Sequence, residues 1–170
     1  MRIIGIDPGY AIVGFGVLDY TGSCFDIVEF GAITTSADMP FEARLKAIYD
    51  DMCFVLDKYK PQQLAIEKLF FTTNQKTAID VAQARGIILL SAVERGIEIA
   101  EYTPLQVKQS VVGYGKAEKK QVQELTRQIL HLKEAPKPDD TADALAIAIC
   151  HGHSAHSSVM CQLLKGEKMR

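Results

Sequence analysis

Acidic residues end two of the most apolar segments of this chain. Asp7 directly follows the first apolar run, and Glu67 directly follows a second one. Asp140 and Asp143 lie three residues apart at the start of a third apolar segment, a spacing that puts two side chains on one face of a helix. If these segments meet, four carboxylates converge, and their mutual repulsion raises the pKa of each. Hard divalent cations relieve that repulsion because they prefer carboxylate oxygens as ligands.

Such a cluster suits metal-dependent hydrolysis of phosphodiesters. Mg²⁺ binds a few carboxylates together with substrate phosphate oxygens, and two metal ions stabilise both the attacking water and the leaving oxygen. Each residue alone has a simpler interpretation, since Asp7 precedes a Pro-Gly turn and Asp139 or Asp140 suits a helix cap. Glu67 and Asp143 lie at neither kind of position, so the four together favour a metal site. Asp139 is an alternative to Asp140 as a ligand in this metal site, because it lies four residues before Asp143.

The segments that must position these residues are typical of a mixed α/β fold. Three strands with short connections come first and predict an antiparallel meander, at residues 2–7, 11–19 and 24–34. Helices and strands then alternate, with helices predicted at about 40–60, 74–95, 104–111, 118–131 and 139–152 and strands at 64–67 and 97–102. The sequence therefore predicts a mixed five-stranded sheet, an antiparallel meander plus parallel strands, flanked by helices.

The order of these elements predicts where the acidic residues meet. The first and fourth strands are expected to be parallel neighbours, so their carboxyl ends share the sheet edge where open α/β sheets usually form their sites. Glycines in the second strand indicate that another backbone packs closely there. The final helix must pack at the same edge to add its two aspartates. One domain is predicted over residues 1–153, followed by a flexible C-terminal tail at 154–170.

Composition and charge narrow the function classes. The 170 residues are 48% hydrophobic and 24% charged with a net charge of −2, which excludes a disordered or fibrous protein. Residues 104–133 carry six basic and two acidic side chains, a local net charge of +4 that predicts a phosphate-bearing partner. Lysine suits phosphate contacts. For any one of these lysines, however, a place on a solvated helix face is an equally good interpretation. The lysines of interest are Lys108, Lys116, Lys119 and Lys120.

Nothing in the sequence predicts a membrane span or an export signal. No apolar stretch approaches the roughly 18 residues that a span needs. The four cysteines are widely separated and form no C-x-x-C pair, which is typical of free thiols in a reducing cytoplasm. We therefore predict a cytoplasmic protein.

Three other features have open interpretations. Cysteine and histidine crowd the segment 150–161, but a structural zinc site usually needs ligands from a second segment. His151 alternatively lies on the helix face of the aspartates. Phe70 and Phe71 follow the acidic end of the fourth strand and suit either base stacking or the core. The apolar helix around 78–93 is wider than one core face needs, so it is a candidate dimer contact.

Short motifs occur in a fixed order between Met1 and about residue 153. They are Asp7-Pro8-Gly9, Gly14-Phe15-Gly16-Val17, Ala65-Ile66-Glu67, Gln83-Ala84-Arg85-Gly86, and the segments at 107–115, 117–119 and 140–148. Each motif alone is weakly specific. As an ordered set they resemble RuvC, the family of bacterial Holliday junction resolvases.

The resemblance implies a ribonuclease H-like fold, a homodimer and Mg²⁺-dependent symmetric nicking of four-way DNA junctions in recombination and repair. Two Mg²⁺ ions per site are implied, with Mn²⁺ as a substitute, and RuvA and RuvB are implied as branch-migration partners. The family's catalytic and metal-binding carboxylates fall on Asp7, Glu67, Asp140 and Asp143. Its DNA-contacting lysines fall on Lys108 and Lys119, and its stacking aromatic falls on Phe70.

Three other functions compete with this one. Another ribonuclease H-like nuclease would act on RNA or on RNA–DNA hybrids, and only substrate tests separate it from a resolvase. An ATPase of the actin and sugar kinase type also begins with a strand ending in Asp-x-Gly, but it needs two such domains. A binding module with a decayed site is disfavoured, because all four carboxylates are present.

Overall fold

The computed structural model describes the backbone of residues 1–69 and 75–167 and the side chains of residues 1–69 and 77–155. The strands are β1 (Arg2–Asp7), β2 (Ile12–Tyr20), β3 (Phe25–Thr34), β4 (Gln63–Glu67) and β5 (Glu98–Tyr102). The helices are α1 (Phe41–Tyr59), α2 (Gln75–Val93), α3 (Pro104–Val112), α4 (Lys119–Ile129) and α5 (Asp139–Glu167). All five strands form one sheet in the order β3-β2-β1-β4-β5.

The pairing of the strands confirms the predicted mixed sheet. β1, β2 and β3 pair antiparallel, whereas β4 pairs parallel with both β1 and β5. Alternate strand residues pack on opposite faces, as the period-2 geometry of a strand requires. Ile3 and Leu18 face the core beneath α5, and Ile4 and Ile66 face the core on the side of α1 and α2.

Local sequence signals explain several helix boundaries. Thr103 caps α3 with a capping box, in which its side chain accepts from the Gln106 amide and the Gln106 side chain accepts from the Thr103 amide. Gly96 and Gly113 follow α2 and α3 with φ of 65° and 92°, a left-handed conformation that glycine adopts without strain. The predicted ends of these two helices, at about residues 95 and 111, therefore lie within two residues of the observed ends.

The predicted end of the last helix near Gly152 is wrong, because α5 continues to Glu167. Gly152 lies inside the helix and lets it pack tightly on β3. A Cβ at this position would come within 2.4 Å of the Phe25 ring. The glycine therefore serves close packing rather than helix termination. The predicted boundary between a domain at 1–153 and a flexible tail at 154–170 stays a prediction.

Helix α5 lies directly on β1 and β2, because glycines leave room for its backbone. A Cβ at Gly5 would lie 2.1 Å from the Ala144 carbonyl oxygen, and one at Gly14 would lie 2.0 Å from the Asp140 carbonyl oxygen. This confirms the close approach predicted from the glycines of the second strand. It also fixes the first turn of α5 beside the end of β1. None of the helices in the described parts of the chain is long and apolar enough to cross a membrane.

Candidate active site

Two carboxylates reach the site from neighbouring parallel strands. Asp7 is the last residue of β1, and Glu67 is the last residue of β4. The register pairs Ile6 with Ile66, so the two acidic residues follow at the same sheet edge. Both residues are partly buried. The parallel pairing therefore brings together the two strand-end acids as predicted.

Two more carboxylates reach the site from the first turn of α5. Asp140 and Asp143 are both partly buried, and the charges of both act on Asp7. The side chain of Asp139 is 67% exposed, whereas that of Asp143 is 25% exposed. The structure therefore brings Asp140, rather than Asp139, into the group with the strand-end acids. We refer to Asp7, Glu67, Asp140 and Asp143 as the carboxylate cluster.

Three acids of the carboxylate cluster, Asp7, Glu67 and Asp143, hold protons more tightly than isolated acids do. Burial, followed by the negative charges of Glu67, Asp143 and Asp140, raises the pKa of Asp7 to about 7. Burial and the charge of Asp143 raise the pKa of Glu67. Burial also raises the pKa of Asp143, although the ammonium group of Lys119 acts in the opposite direction. The cluster thus has the unfavourable electrostatics that an added cation would relieve.

Lys119 supplies an internal positive charge at the carboxylate cluster. Its Nζ lies 2.7 Å from Oδ2 of Asp143 and 3.7 Å from Oδ2 of Asp139. Its charge also lowers the pKa of Asp7 and Glu67, and the carboxylates in turn raise the pKa of Lys119. The sequence predicted Lys119 as a phosphate contact and missed this ion pair. No signal in the sequence reveals it, because the first residue of α4 meets α5 only through the tertiary fold.

A cleft connects the carboxylate cluster to the basic segment. It has a volume of about 240 Å³, and its polar lining consists of Glu67, Asp143, Lys108 and Lys119. Its apolar lining consists of Pro104, Val107, Val122, Ala146 and Ile147. Two cations and two anions on one cleft can bind a phosphodiester and a metal ion side by side.

Two of the other predicted DNA contacts lie outside the cleft. Lys116 and Lys120 are exposed to solvent and do not line the cleft. Phe70 and Phe71 lie outside the described residues, as does residue 74, the predicted start of the second helix.

The donor set fits a hard divalent cation, because all four members of the carboxylate cluster offer oxygen ligands. As arranged here, no group of three or more His, Cys, Asp or Glu side chains within the described residues is positioned to hold one ion. The ammonium group of Lys119 lies against Asp143 and neutralises part of the charge. The fit therefore rests on the chemistry of the donors and on the negative charge that Lys119 leaves unneutralised.

His151 lies away from the carboxylate cluster. It is buried, with Nδ1 2.8 Å from the Tyr102 hydroxyl and Nε2 2.8 Å from Oε1 of Gln63. Burial lowers the pKa of this imidazole. His153 lies 3.1 Å from the Ser110 hydroxyl and packs edge-on against Phe25. These contacts give both histidines packing roles, and the side chains at 156 and 161 lie beyond the described side chains.

Comparisons with known proteins identify the family. The family described as crossover junction endodeoxyribonuclease RuvC matches residues 3–151. Proteins of that name from Brevibacillus brevis and Ruminiclostridium cellulolyticum are 57% and 54% identical, over 89% and 91% of this chain and 91% and 93% of their own.

A solved structure of T. thermophilus RuvC in complex with Holliday junction substrate superposes with a TM-score of 0.88 at 36% identity, and the match covers 93% of this chain and 96% of that one. This similarity confirms the predicted ribonuclease H-like fold. On this evidence, the chain belongs to the RuvC family of crossover junction endodeoxyribonucleases.

Proposed function

We propose that this chain is a metal-dependent endonuclease that resolves four-way DNA junctions by paired symmetric nicks. The observation that carries the proposal is the convergence of Asp7, Glu67, Asp140 and Asp143 at one sheet edge. The family match supports it, since it spans every strand and reaches α5. The Holliday junction in the T. thermophilus RuvC complex supports the choice of DNA substrate.

The carboxylate cluster is the proposed metal site, with Mg²⁺ as the ion, two ions per site and Mn²⁺ as a substitute. Held there, Mg²⁺ would supply water activated for attack on the phosphodiester and positive charge at the leaving oxygen. Asp7, with a pKa of about 7, must lose its proton before its carboxylate can bind a cation. Asp143 must exchange its contact with Lys119 for the ion. Deprotonation and exchange are therefore the two changes that prepare the site.

The lysines of the cleft are the proposed phosphate contacts. Lys119, once released from Asp143, would take a DNA phosphate in the same cleft as its alternative anionic partner. Lys108 also lines the cleft and binds the DNA backbone as a point charge. Lys116 and Lys120 extend the basic surface outside the cleft, and Phe70 is the proposed stacking residue at the junction centre.

A homodimer through α2 is the proposed assembly. Ile79, Leu90 and Val93 are 61%, 47% and 62% exposed, although α2 also buries Ala84 and Ile88 in the core. An apolar helix face of this kind is costly in water unless it is covered. Two-fold symmetry would present two identical sites to opposed strands of a junction. We expect Leu90→Asp to shift the protein from dimer to monomer in sedimentation experiments, and an unchanged dimer would exclude this face.

The proposed setting is the cytoplasm, where RuvA and RuvB would be the branch-migration partners. Both partners are inferred from the family to which the chain belongs.

Cleavage assays with a synthetic four-way junction and an RNA–DNA hybrid test the proposed function. We expect nicking of the junction in Mg²⁺ and none in chelator. Neutral substitutions in the carboxylate cluster should each reduce cleavage by at least about 100-fold, because transition-state charge is no longer stabilised, while junction binding is retained. They are Asp7→Asn, Glu67→Gln, Asp140→Asn and Asp143→Asn. Asp139→Asn is the matched control and should stay active.

Cleavage of the hybrid in preference to the junction would overturn the substrate assignment. If one of these four variants keeps near-normal cleavage activity, its residue does not belong to the site. An inactive Asp139→Asn variant with an active Asp140→Asn variant would mean that the neighbouring aspartate is the ligand.

A further inference from the structure

Arg85 of α2 contacts the backbone of a cluster residue. Its Nε donates to the carbonyl oxygen of Glu67 at 3.3 Å, and its Nη2 donates to the carboxylate of Glu101. The Arg85 side chain is only 14% exposed, so water competes little for these contacts. One guanidinium thus joins α2, the end of β4 and β5.

The contact falls where the backbone of Glu67 needs support. Glu67 is the last residue of β4, and the chain leaves the sheet soon after it. On the β5 side, the Lys68 amide donates to the Tyr102 carbonyl at 2.8 Å. Arg85 adds a second restraint at the Glu67 carbonyl itself. Because the peptide unit is planar, fixing its carbonyl restricts the backbone rotation that aims the Glu67 side chain.

Arg85 and Lys119 act on the carboxylate cluster in different ways. The positive charge that favours the ionised form of Glu67 is that of Lys119. Glu101 lies across the ladder from Ile66 and holds the guanidinium in its fork geometry. A planar fork with several fixed donors suits the joint recognition of a carbonyl and a carboxylate, which a lysine ammonium cannot reproduce.

We propose that Arg85 is a positioning residue that orients Glu67 for metal binding and cleavage by holding its backbone carbonyl. The proposal rests on the proposed function, since it gives Glu67 its task. Removing a group that holds a metal ligand in place typically lowers metal affinity or activity by about 10- to 100-fold.

The end of the same helix offers a matched control. Arg95 also combines an ion pair with a bond to a backbone carbonyl: its Nε and Nη2 donate to Asp57 at 2.7 and 2.8 Å, and its Nη1 donates to the Ser91 carbonyl at 3.0 Å. It lies just after the last residue of α2 and contacts no member of the carboxylate cluster through these bonds. Arg95→Gln therefore removes a comparable structural contact without touching Glu67.

The experiment compares wild type, Arg85→Gln, Arg85→Lys, Glu101→Gln and Arg95→Gln. Calorimetric titration with Mg²⁺ alone measures metal affinity without DNA, and single-turnover cleavage of a four-way junction measures the rate. Junction affinity is measured in chelator, and melting temperature reports on folding. For Arg85→Gln we expect Mg²⁺ affinity lower by about tenfold and a rate lower by about 10- to 100-fold, with junction affinity within about twofold.

The other variants test whether the loss follows from the Arg85 contact itself. Arg85→Lys keeps the positive charge and one donor nitrogen, and it should recover part of the rate. Glu101→Gln loosens the guanidinium and should fall between Arg85→Gln and wild type. Arg95→Gln should keep Mg²⁺ affinity and rate within about twofold, even where it lowers the melting temperature.

Several outcomes would overturn the proposal. One is an Arg85→Gln protein with wild-type Mg²⁺ affinity and rate, and another is an equal loss in Arg95→Gln. If Arg85→Gln does not fold, wild-type behaviour of both Arg85→Lys and Glu101→Gln would overturn it instead. Failure of the proposed function is recognised separately, because the wild type itself would then not cleave junctions while the Mg²⁺ titrations would still compare the variants.

Discussion

Neutralising Asp7 should stabilise the folded protein when metal is absent. Burial and three neighbouring carboxylates raise the pKa of Asp7 from 3.8 to about 7. Each unit of raised pKa corresponds to about 1.36 kcal/mol, so the ionised side chain destabilises the fold by about 4 kcal/mol. The attraction of Lys119 is already included, because it lowers this same pKa. Asp7→Asn removes the charge with little change in shape.

The stability that Asp7→Asn gains over the wild type should increase as the pH rises. Between pH 3.8 and about 7, folded Asp7 keeps a proton that the unfolded chain has released, so wild-type stability falls as pH rises through this window. Below the window both states are protonated, and the variant should match the wild type. Above it the variant should be more stable by about 4 kcal/mol, which for a chain of this size raises the melting temperature by roughly 8–16 °C.

Urea unfolding followed by circular dichroism in chelator, at about pH 4, 6 and 8, measures this difference. Asp139→Asn is the matched control, since it removes the same charge from an exposed side chain one residue from the cluster and should show no comparable gain. Excess Mg²⁺ should narrow the difference, because an ion present at about 100 times its Kd stabilises the folded wild type by about 2.7 kcal/mol, somewhat less than the gain expected of the variant.

A lower stability of Asp7→Asn at pH 8 in chelator would refute this reasoning. It would mean that hydrogen bonds of the turn after β1, rather than charge repulsion, dominate at Asp7. A gain that does not vary with pH, or an equal gain in Asp139→Asn, would also exclude the repulsion account.

Two other perturbations have expected outcomes. Gly14→Ala puts a Cβ 2.0 Å from the Asp140 carbonyl oxygen, so we expect a loss of about 1–3 kcal/mol in urea unfolding and a loss of cleavage in the junction assay, whereas the open Gly86→Ala site should tolerate the same change. Lys119→Ala should weaken junction binding and reduce its logarithmic salt slope by about 0.9, measured by fluorescence anisotropy, and an unchanged slope would exclude a phosphate contact.

The sheet and the strand-end acids could be predicted because their signals are local. Asp7 and Glu67 each end a short apolar strand, and one topological inference, that these strands are parallel neighbours, was enough to bring them together. The glycines of β2 likewise predicted the close approach of a helix backbone. Gly152 misled the prediction for α5, because a glycine that admits an aromatic ring has the same sequence signature as a helix terminator.

The contacts that the sequence did not predict are those made by long basic side chains. Lys119 and Arg85 reach their partners across the fold, from the first turn of α4 to α5 and from α2 to the end of β4. Neither contact leaves a periodic pattern, since a lysine or an arginine on a helix surface usually points to solvent. Charge counting placed Lys119 in a basic segment and thereby suggested a phosphate-bearing partner, without revealing the aspartate.

The ion pair of Lys119 with Asp143 and its proposed contact with a DNA phosphate have one electrostatic explanation. A cluster of four acids that awaits both a cation and an anionic substrate is repelled by its own charge and repels the substrate. An ammonium on a flexible stem can neutralise the cluster and then transfer to a phosphate when the cation arrives. Arg85 lacks this mobility, because its guanidinium is held by two partners and only 14% exposed. The mobile cation therefore suits the exchange of ligands, and the fixed one suits the placement of Glu67.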